Sequence, residues 1–266
     1  MMPLGDMHDD LPEARGVGQA RWLETSAVMG LRGPQDPLQR RWYRDLHIPT
    51  WVWVGADAVA VQAVLARLAM ATSARTVAAW LDTATGQGAG NWVYEWNQEG
   101  ARCQQRGRQL LEQGEPGSAR AALLRAANYY TIASYPHLRG DHFAHEAMLL
   151  ANSCYREAGK LFAGPLHNLN FRHDNHELTL HLHLPPEQQQ PAPLVLVCGG
   201  GDQLQTGFYR LFLSGLAAAG VAMATIDPPG VGASEHWSLD ENYDQLLRAA
   251  LQQLAALATI NSQRIA

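Results

Sequence analysis

The sequence predicts an α/β fold class in which an N-terminal helical region precedes the opening strands of a parallel sheet. Three observations carry that prediction. Residues 56–163 are rich in Ala, Leu, Arg and Gln with apolar positions at helical spacing. After Pro165 the apolar residues instead alternate or run together as in strands. From there the elements read strand, helix, strand, helix, the order of a parallel sheet joined by crossovers.

Taken in order, Asp57 to Ala71 sets Val61, Val64, Leu65 and Leu68 on one stripe, as an amphipathic helix requires. Ser118 to Ser134 repeats this with Ala122, Leu123, Ala126, Tyr129 and Tyr130, and Gly114, Pro116 and Gly117 break the chain before it. Segment 141–163 reads as a further helix, started by Asp141 and stopped before Gly164-Pro165. Segment 96–130 resembles one tetratricopeptide unit, paired helices with small residues at the crossing, but no second copy follows and a solenoid is not expected. Trp51, Trp53, Trp92, Tyr94 and Trp96 are read as packing aromatics of this region rather than a ligand pocket.

His176 to Leu184 (HELTLHLHL) alternates as a half-buried strand does. Proline-rich 185–193 is a loop, and Leu194 to Cys198 is a continuous apolar run expected to be buried on both faces. A glycine loop, 199–202, leads to a helix over Thr206 to Ala219 and a second buried strand over Val221 to Ile226. The loop from Asp227 to Ser234 precedes a helix around Leu239 to Ala258, and Arg264-Ile265-Ala266 look like the first steps of another strand. A fragment of parallel sheet leaves an open edge, so the chain is expected to be an incomplete version of a longer protein or to be covered by a partner.

Composition narrows the function. The chain has 266 residues, 47% of them hydrophobic and 17% charged, enough for a large core. Twenty basic residues, all arginine except Lys160, against 25 acidic ones give a net charge of −5, which argues against a nucleic-acid partner. Cys103, Cys154 and Cys198 lie far apart, as in a reducing compartment, and form no zinc pattern. The acidic N-terminus has no apolar signal core and no run reaches the ~18 residues of a membrane span. A cytoplasmic protein without membrane, metal or cofactor is expected.

Four segments then stand out: GNWVYEW (90–96), AANYYTIASYPHLRGD (126–141), GGGDQLQTGFYRLF (199–212) and GVAMATIDPPGVGASEHW (220–237). Together, and in this order, they resemble the FrsA family of fermentation–respiration switch proteins, esterase-like α/β-hydrolases with a helical N-terminal region. The resemblance runs from about Trp42 to Ala266. It implies that residues 42–165 are the helical region and 166–266 the first half of an α/β-hydrolase domain, after a poorly defined segment 1–41. It implies hydrolysis of small carboxylic esters, or alternatively a non-catalytic regulator that binds the glucose-specific EIIA component of the sugar phosphotransferase system.

In this fold the nucleophile sits on a G-x-S-x-G elbow, with an acid and a histidine after later strands. No serine here has glycine at both −2 and +2, and Ser234 has Gly232 before it but His236 after it. By the resemblance the nucleophile strand begins at Arg264-Ile265-Ala266, so nucleophile, acid and histidine are all expected beyond residue 266 and no triad residue is assigned. What remains is the oxyanion hole: the backbone N–H groups of Gly200 and Gly201 are the candidates, aimed at the charge that develops on the scissile carbonyl. The loop 227–234 is read as a turn shaping the pocket. His181 and His183 share one strand face; a solvated face is expected there rather than a metal pair, and His142, His145 and Glu146 are read as helix surface.

Overall fold

The computed structural model describes residues 41–137, 141–173, 176–187, 191–200, 203–237 and 244–266. Apart from Arg41, the N-terminal segment 1–41 of the sequence reading lies outside them.

Among the described residues five helices come first: α1 (Ile48–Trp53), α2 (Ala58–Met70), α3 (Trp92–Glu112), α4 (Pro116–Ser134) and α5 (His142–Gly159). Their starts follow from local chemistry. The Asp57 carboxylate accepts the Ala60 N–H at 2.9 Å, the Asn91 side chain accepts that of Tyr94 at 3.2 Å, and Asp141 accepts that of Ala144 at 3.1 Å. Proline opens α4, where its missing N–H costs nothing. The expected stripe of α2 is buried throughout, and on α4 Leu123, Ala126, Tyr129 and Tyr130 are buried with Ala122 half-buried. Helices α3 and α4 are joined by a three-residue connection and pack closely because glycine stands at the crossing. A Cβ on Gly100 would lie 2.7 Å from the Tyr130 ring, and one on Gly107 would lie 2.8 Å from Leu123.

The aromatic patch is packing, as expected, for Trp51, Trp92 and Trp96, whose rings lie 5.6–6.2 Å apart, with Tyr129 5.9 Å from Trp96. Trp53 and Tyr94 point outward instead, 45% and 38% exposed. Arg44 and Asp82, both buried, are paired at 3.2 Å, and Arg44 also donates to the Tyr135 carbonyl, tying the first described residues to the end of α4.

The sheet contains β1 (Leu166–His173), β2 (His176–His183), β3 (Ala192–Cys198), β4 (Ala222–Ile226) and β5 (Ile260–Ile265), in the order β1-β2-β4-β3-β5. It is mixed: the strands expected to be parallel are so, and an antiparallel hairpin is added beside them. β4 and β5 flank β3 in parallel, but β1 pairs antiparallel with β2, and β2 antiparallel with β4. The hairpin is the cause. LHNLNFRH carries too many Asn and His residues to announce a strand, so β1 was absent from the sequence reading. The signal was Asp174-Asn175, a turn-prone pair between two runs.

Between β3 and β4 the predicted helix is an irregular one, α6 (residues 205–216), which opens as a 3₁₀ turn (Gln205–Phe208) and ends as a π turn (Phe212–Leu216). The last helix, α7 (Asp244–Ala255), buries Leu246, Ala249, Ala250 and Leu254. The predicted start of that helix at Leu239 lies outside the described residues.

The sheet sits between two layers. α7 covers one face over Leu178, Leu180, Leu182, Leu194 and Ile226, while α5 and α6 cover the other through Tyr155, Tyr209, Phe212 and Met223. This second layer overturns the solvated histidine face: His181 and His183 are 2% and 1% exposed. The Tyr155 ring stacks on His181 at 5.0 Å, and its hydroxyl lies 3.0 Å from His183 Nε2. β2 is an interior strand roofed by α5 and α6, so its polar positions are enclosed. The opposite correction applies to β3. Leu194 is buried, but Val195, Leu196 and Val197 are only half-buried, because the neighbouring β5 exposes Ser262, Gln263 and Arg264 and nothing among the described residues covers that side. β4 alone is buried at every position.

Candidate active site

The parallel strands β3 and β4 end side by side, and the loops leaving their carboxyl ends are the place where ligands bind in open α/β sheets. The first loop is the glycine loop. The Gly199 N–H donates to the Ile226 carbonyl at 3.0 Å, which fixes the loop to the end of β4. A Cβ at Gly199 would lie 2.3 Å from the Gln203 carbonyl oxygen, so no larger residue fits. Gly200 is exposed and pairs with Gln203 in an isolated antiparallel bridge, its carbonyl accepting the Gln203 N–H at 3.3 Å. The other oxyanion candidate, Gly201, lies outside the described residues, as does Asp202.

The second loop is organised by Asp227, which is fully buried. One carboxylate oxygen accepts the Gln205 N–H at 2.6 Å and the other accepts the Ala233 N–H at 2.8 Å. Asp227 therefore ties the start of α6, just downstream of the glycine loop, to the turn after β4. Gly232 is required for that closure: its φ is +57°, and a Cβ there would stand 2.2 Å from the Asp227 carboxylate. Burial pushes the Asp227 carboxyl up to about 6, and the two N–H donors oppose that rise. With both oxygens engaged by backbone, Asp227 acts as a clamp, in line with the reading of 227–234 as a shaping turn.

Sequence reasoning missed two residues near this edge, Gln205 and His137, and set aside a third, Ser234, for want of an elbow. Gln205 is fully buried, and neither end of its amide makes a hydrogen bond among the described residues. Ser234 Oγ is likewise buried and unbonded. His137 has a φ of +63° and is 5% exposed. Its Nδ1 lies 2.9 Å from Ser134 Oγ, while its Nε2 makes no hydrogen bond among the described residues. Burial holds the His137 imidazole down to about 3, hence neutral. A gap of about 20 Å³ beside it is lined by Gly232 and Glu235, so the end of α4 reaches the loop after β4. For Gln205 and His137 the only sequence signal was their place inside the quoted segments 199–212 and 126–141.

A larger cleft, about 320 Å³, opens between α1, α4 and α6, with Gln203 and Thr206 on its floor. It is within the size range of small-molecule pockets. Gln203 is also the residue bridged to Gly200, so the cleft adjoins the glycine loop. His142 and His145 lie on the surface of α5, as expected. Among the described residues no three His, Cys, Asp or Glu side chains converge as a metal group, and no helix is long and apolar enough to cross a membrane.

The family profile described as FrsA-like esterase (Esterase FrsA-like) matches residues 16–266 of the chain. The chain belongs to the FrsA-like esterase family. The match starts some way before Trp42, where the resemblance of the motifs begins. Curated relatives agree. Esterase FrsA of Serratia proteamaculans is 43% identical over 225 residues, covering 84% of this chain and 54% of the relative. Esterase FrsA of Vibrio cholerae is 43% identical over 231 residues, covering 87% and 54%. That of Photobacterium profundum is 38% identical over 225 residues, covering 85% and 54%. The chain thus spans about half the length of the curated relatives it matches.

Two solved structures share the fold. The 2,6-dihydroxy-pseudo-oxynicotine hydrolase superimposes with a TM-score of 0.63 at 18% identity, over 81% of this chain and 55% of that one. AbyA5 does so with a TM-score of 0.58 at 20% identity, over 80% and 52%. The fold is that of an α/β-hydrolase preceded by helices.

Proposed function

We propose that the protein acts as a carboxylic ester hydrolase of the FrsA-like type on small ester substrates, in the cytoplasm. In this reading residues 42–165 form a helical region that roofs a partial hydrolase domain, 166–266. The N–H groups of Gly200 and Gly201 form the oxyanion hole. No nucleophile, acid or histidine is assigned among residues 42–266; the chain covers 54% of its curated relatives, and in this reading the triad belongs to the part of the family that it does not match.

The observation that carries the reading is the glycine loop at the carboxyl end of β3, held to β4 by the Gly199 N–H and adjoining a cleft of small-molecule size. Donors in such a loop act on the tetrahedral intermediate, where each is worth roughly 3–4 kcal/mol of transition-state stabilisation. Glycine lets the backbone approach the substrate carbonyl, and the Asp227 clamp keeps the loop and α6 in place before the reaction begins. Hydrolysis of p-nitrophenyl butyrate tests the reading. A version extended to the length of the curated relatives is expected to hydrolyse it well above background. Background rates from a folded, extended chain would sink the esterase reading.

The second reading, a non-catalytic regulator that binds the glucose-specific EIIA component, is favoured by the exposed Trp53 and Tyr94, which offer aromatic anchors. A pull-down with purified EIIA that recovers nothing removes it.

A further inference from the structure

The cleft between α1, α4 and α6 carries a charge pattern that ester hydrolysis by itself does not explain. Arg120 and Arg125 from α4 and Arg210 from α6 line it, and among the described residues no Asp or Glu does. None of the three has a carboxylate partner among the described residues, in a chain whose net charge is −5. Each guanidinium is held by one N–H on a backbone carbonyl: Arg120 on Leu161 at 3.4 Å, Arg125 on Gly55 at 3.2 Å, and Arg210 on Trp53. A guanidinium has five N–H donors, so most of each fork stays available while the side chain is anchored. Three arginines lining one cleft, with no carboxylate among its described lining residues, make it a favourable place for an anion.

We infer that this cleft is the binding site for the anionic end, carboxylate or phosphate, of the ligand, and that the substrate of the proposed reaction is therefore an ester bearing a negatively charged group. The second half of this statement rests on the esterase reading; the anion site does not. Arginine forks suit planar carboxylate and phosphate oxygens, which they bind with paired, charge-assisted hydrogen bonds. The rest of the cleft fits the remainder of such a molecule. Leu124, Ile132 and Leu213 supply apolar wall, and Thr131 and Thr206, with their hydroxyls 3.3 Å apart, supply polar contacts. Gln203, bridged to Gly200, places the glycine loop at one end of the cleft, so a ligand anchored on the arginines extends its ester toward that loop.

Binding to the 266-residue chain, measured by titration calorimetry, tests this without turnover. The probes are monomethyl succinate, methyl phosphate and the neutral dimethyl succinate, at low ionic strength. One or both anions are expected to bind at least about ten-fold more tightly than the neutral diester, with the preference shrinking as salt is added. The order of the two anions shows whether the site takes carboxylate or phosphate. A double variant, R120Q/R125Q, with an unchanged thermal melt is expected to lose the preference. Equal binding of charged and neutral probes by the wild-type chain, or binding of neither, overturns the inference, and that comparison needs no variant to fold. Hydrolysis of p-nitrophenyl butyrate by the extended chain with no anion preference removes this inference alone. Anion preference in a protein that hydrolyses no ester removes the proposed function and leaves the anion site.

Discussion

The helical half and the sheet half bury polar groups in different ways. In the helices, polar groups inside the core mostly meet a partner: the Trp92 indole N–H donates to the Ile132 carbonyl at 2.8 Å, and Arg44 is paired with Asp82 and with backbone. Among the described residues the exceptions are Trp96 Nε1 and the amide oxygens of Asn97 and Asn152, which are scattered, and His137 Nε2, which lies beside the loop after β4. In the sheet half the unbonded buried atoms belong to His181, Gln205, Thr225 and Ser234, most of them around the carboxyl end of β4. A helix satisfies its backbone internally, so its core can be closed by indole packing and caps. A parallel sheet delivers its loops to one edge, and there buried polar groups gather around the Asp227 clamp. The difference separates a region built to hold shape from an edge built to meet a ligand.

Acid has the largest effect, and it falls on the sheet half and on the edge that His137 adjoins. Burial holds His137, His181 and His183 down to about 3. Unfolded, they take up protons below about pH 6.5, so stability is lost as the pH falls from about 6.5 toward 3. Asp227 works in the opposite direction: its folded value of about 6 exceeds the ordinary one of 3.8, so protonation between about pH 6 and 4 restores stability. Three histidines outweigh one carboxyl, and denaturant melts at pH 5 are expected to show about 4 kcal/mol less stability than at pH 7. H181L removes an unbonded imidazole and is expected to recover about 2 kcal/mol of that loss. An equal slope in wild type and H181L would show that this histidine does not contribute.

Trp96→Ala tests the indole core and is expected to cost about 4 kcal/mol in a denaturant melt. Gly232→Ala tests the site edge, combining a positive φ with a contact against the Asp227 carboxylate, and is expected to cost about 3 kcal/mol. Asp227→Ala leaves two buried N–H groups unbonded at roughly 1–3 kcal/mol each, offset in part by loss of a buried charge, so the net is about 2 kcal/mol at pH 7. Trp53→Ala, on the exposed rim, is expected to change stability by less than about 0.5 kcal/mol. A loss as large as that of Trp96→Ala would dissolve the distinction between core and rim aromatics.

The helices were legible because their evidence is local: the α2 stripe, the Asp141 cap and the glycines between α3 and α4 act within a few residues of where they stand. The glycine loop was legible for the same reason, being short, rich in one residue type and set between a strand and a helix. The burial of His181 and His183 was not, because alternation says which residues share a face and not what lands on it. Tyr155 comes from α5, 28 residues from His183 in sequence. β1 was hidden by its Asn and His content, and the partial exposure of β3 by its uniformly apolar run. Gln205 and His137 left no trace in spacing, since a buried polar side chain without a partner follows no period. The cleft arginines were invisible individually, because in an arginine-rich chain convergence, not composition, makes a site.

The strand order also sets a problem of timing. β4 lies between β2 and β3, both of which precede it in the chain. As the polypeptide leaves the ribosome, β2 has one neighbour in β1 and an open side, and β3 has no neighbour at all, until residues 222–226 arrive. Pairing β2 with β4 then closes a loop of about 40 residues, a slow step compared with forming the β1–β2 hairpin. Through that interval α5, complete before any strand emerges, can screen the His181 and His183 side of β2, so the helical half serves as an intramolecular shield for the sheet while its middle strand is still missing.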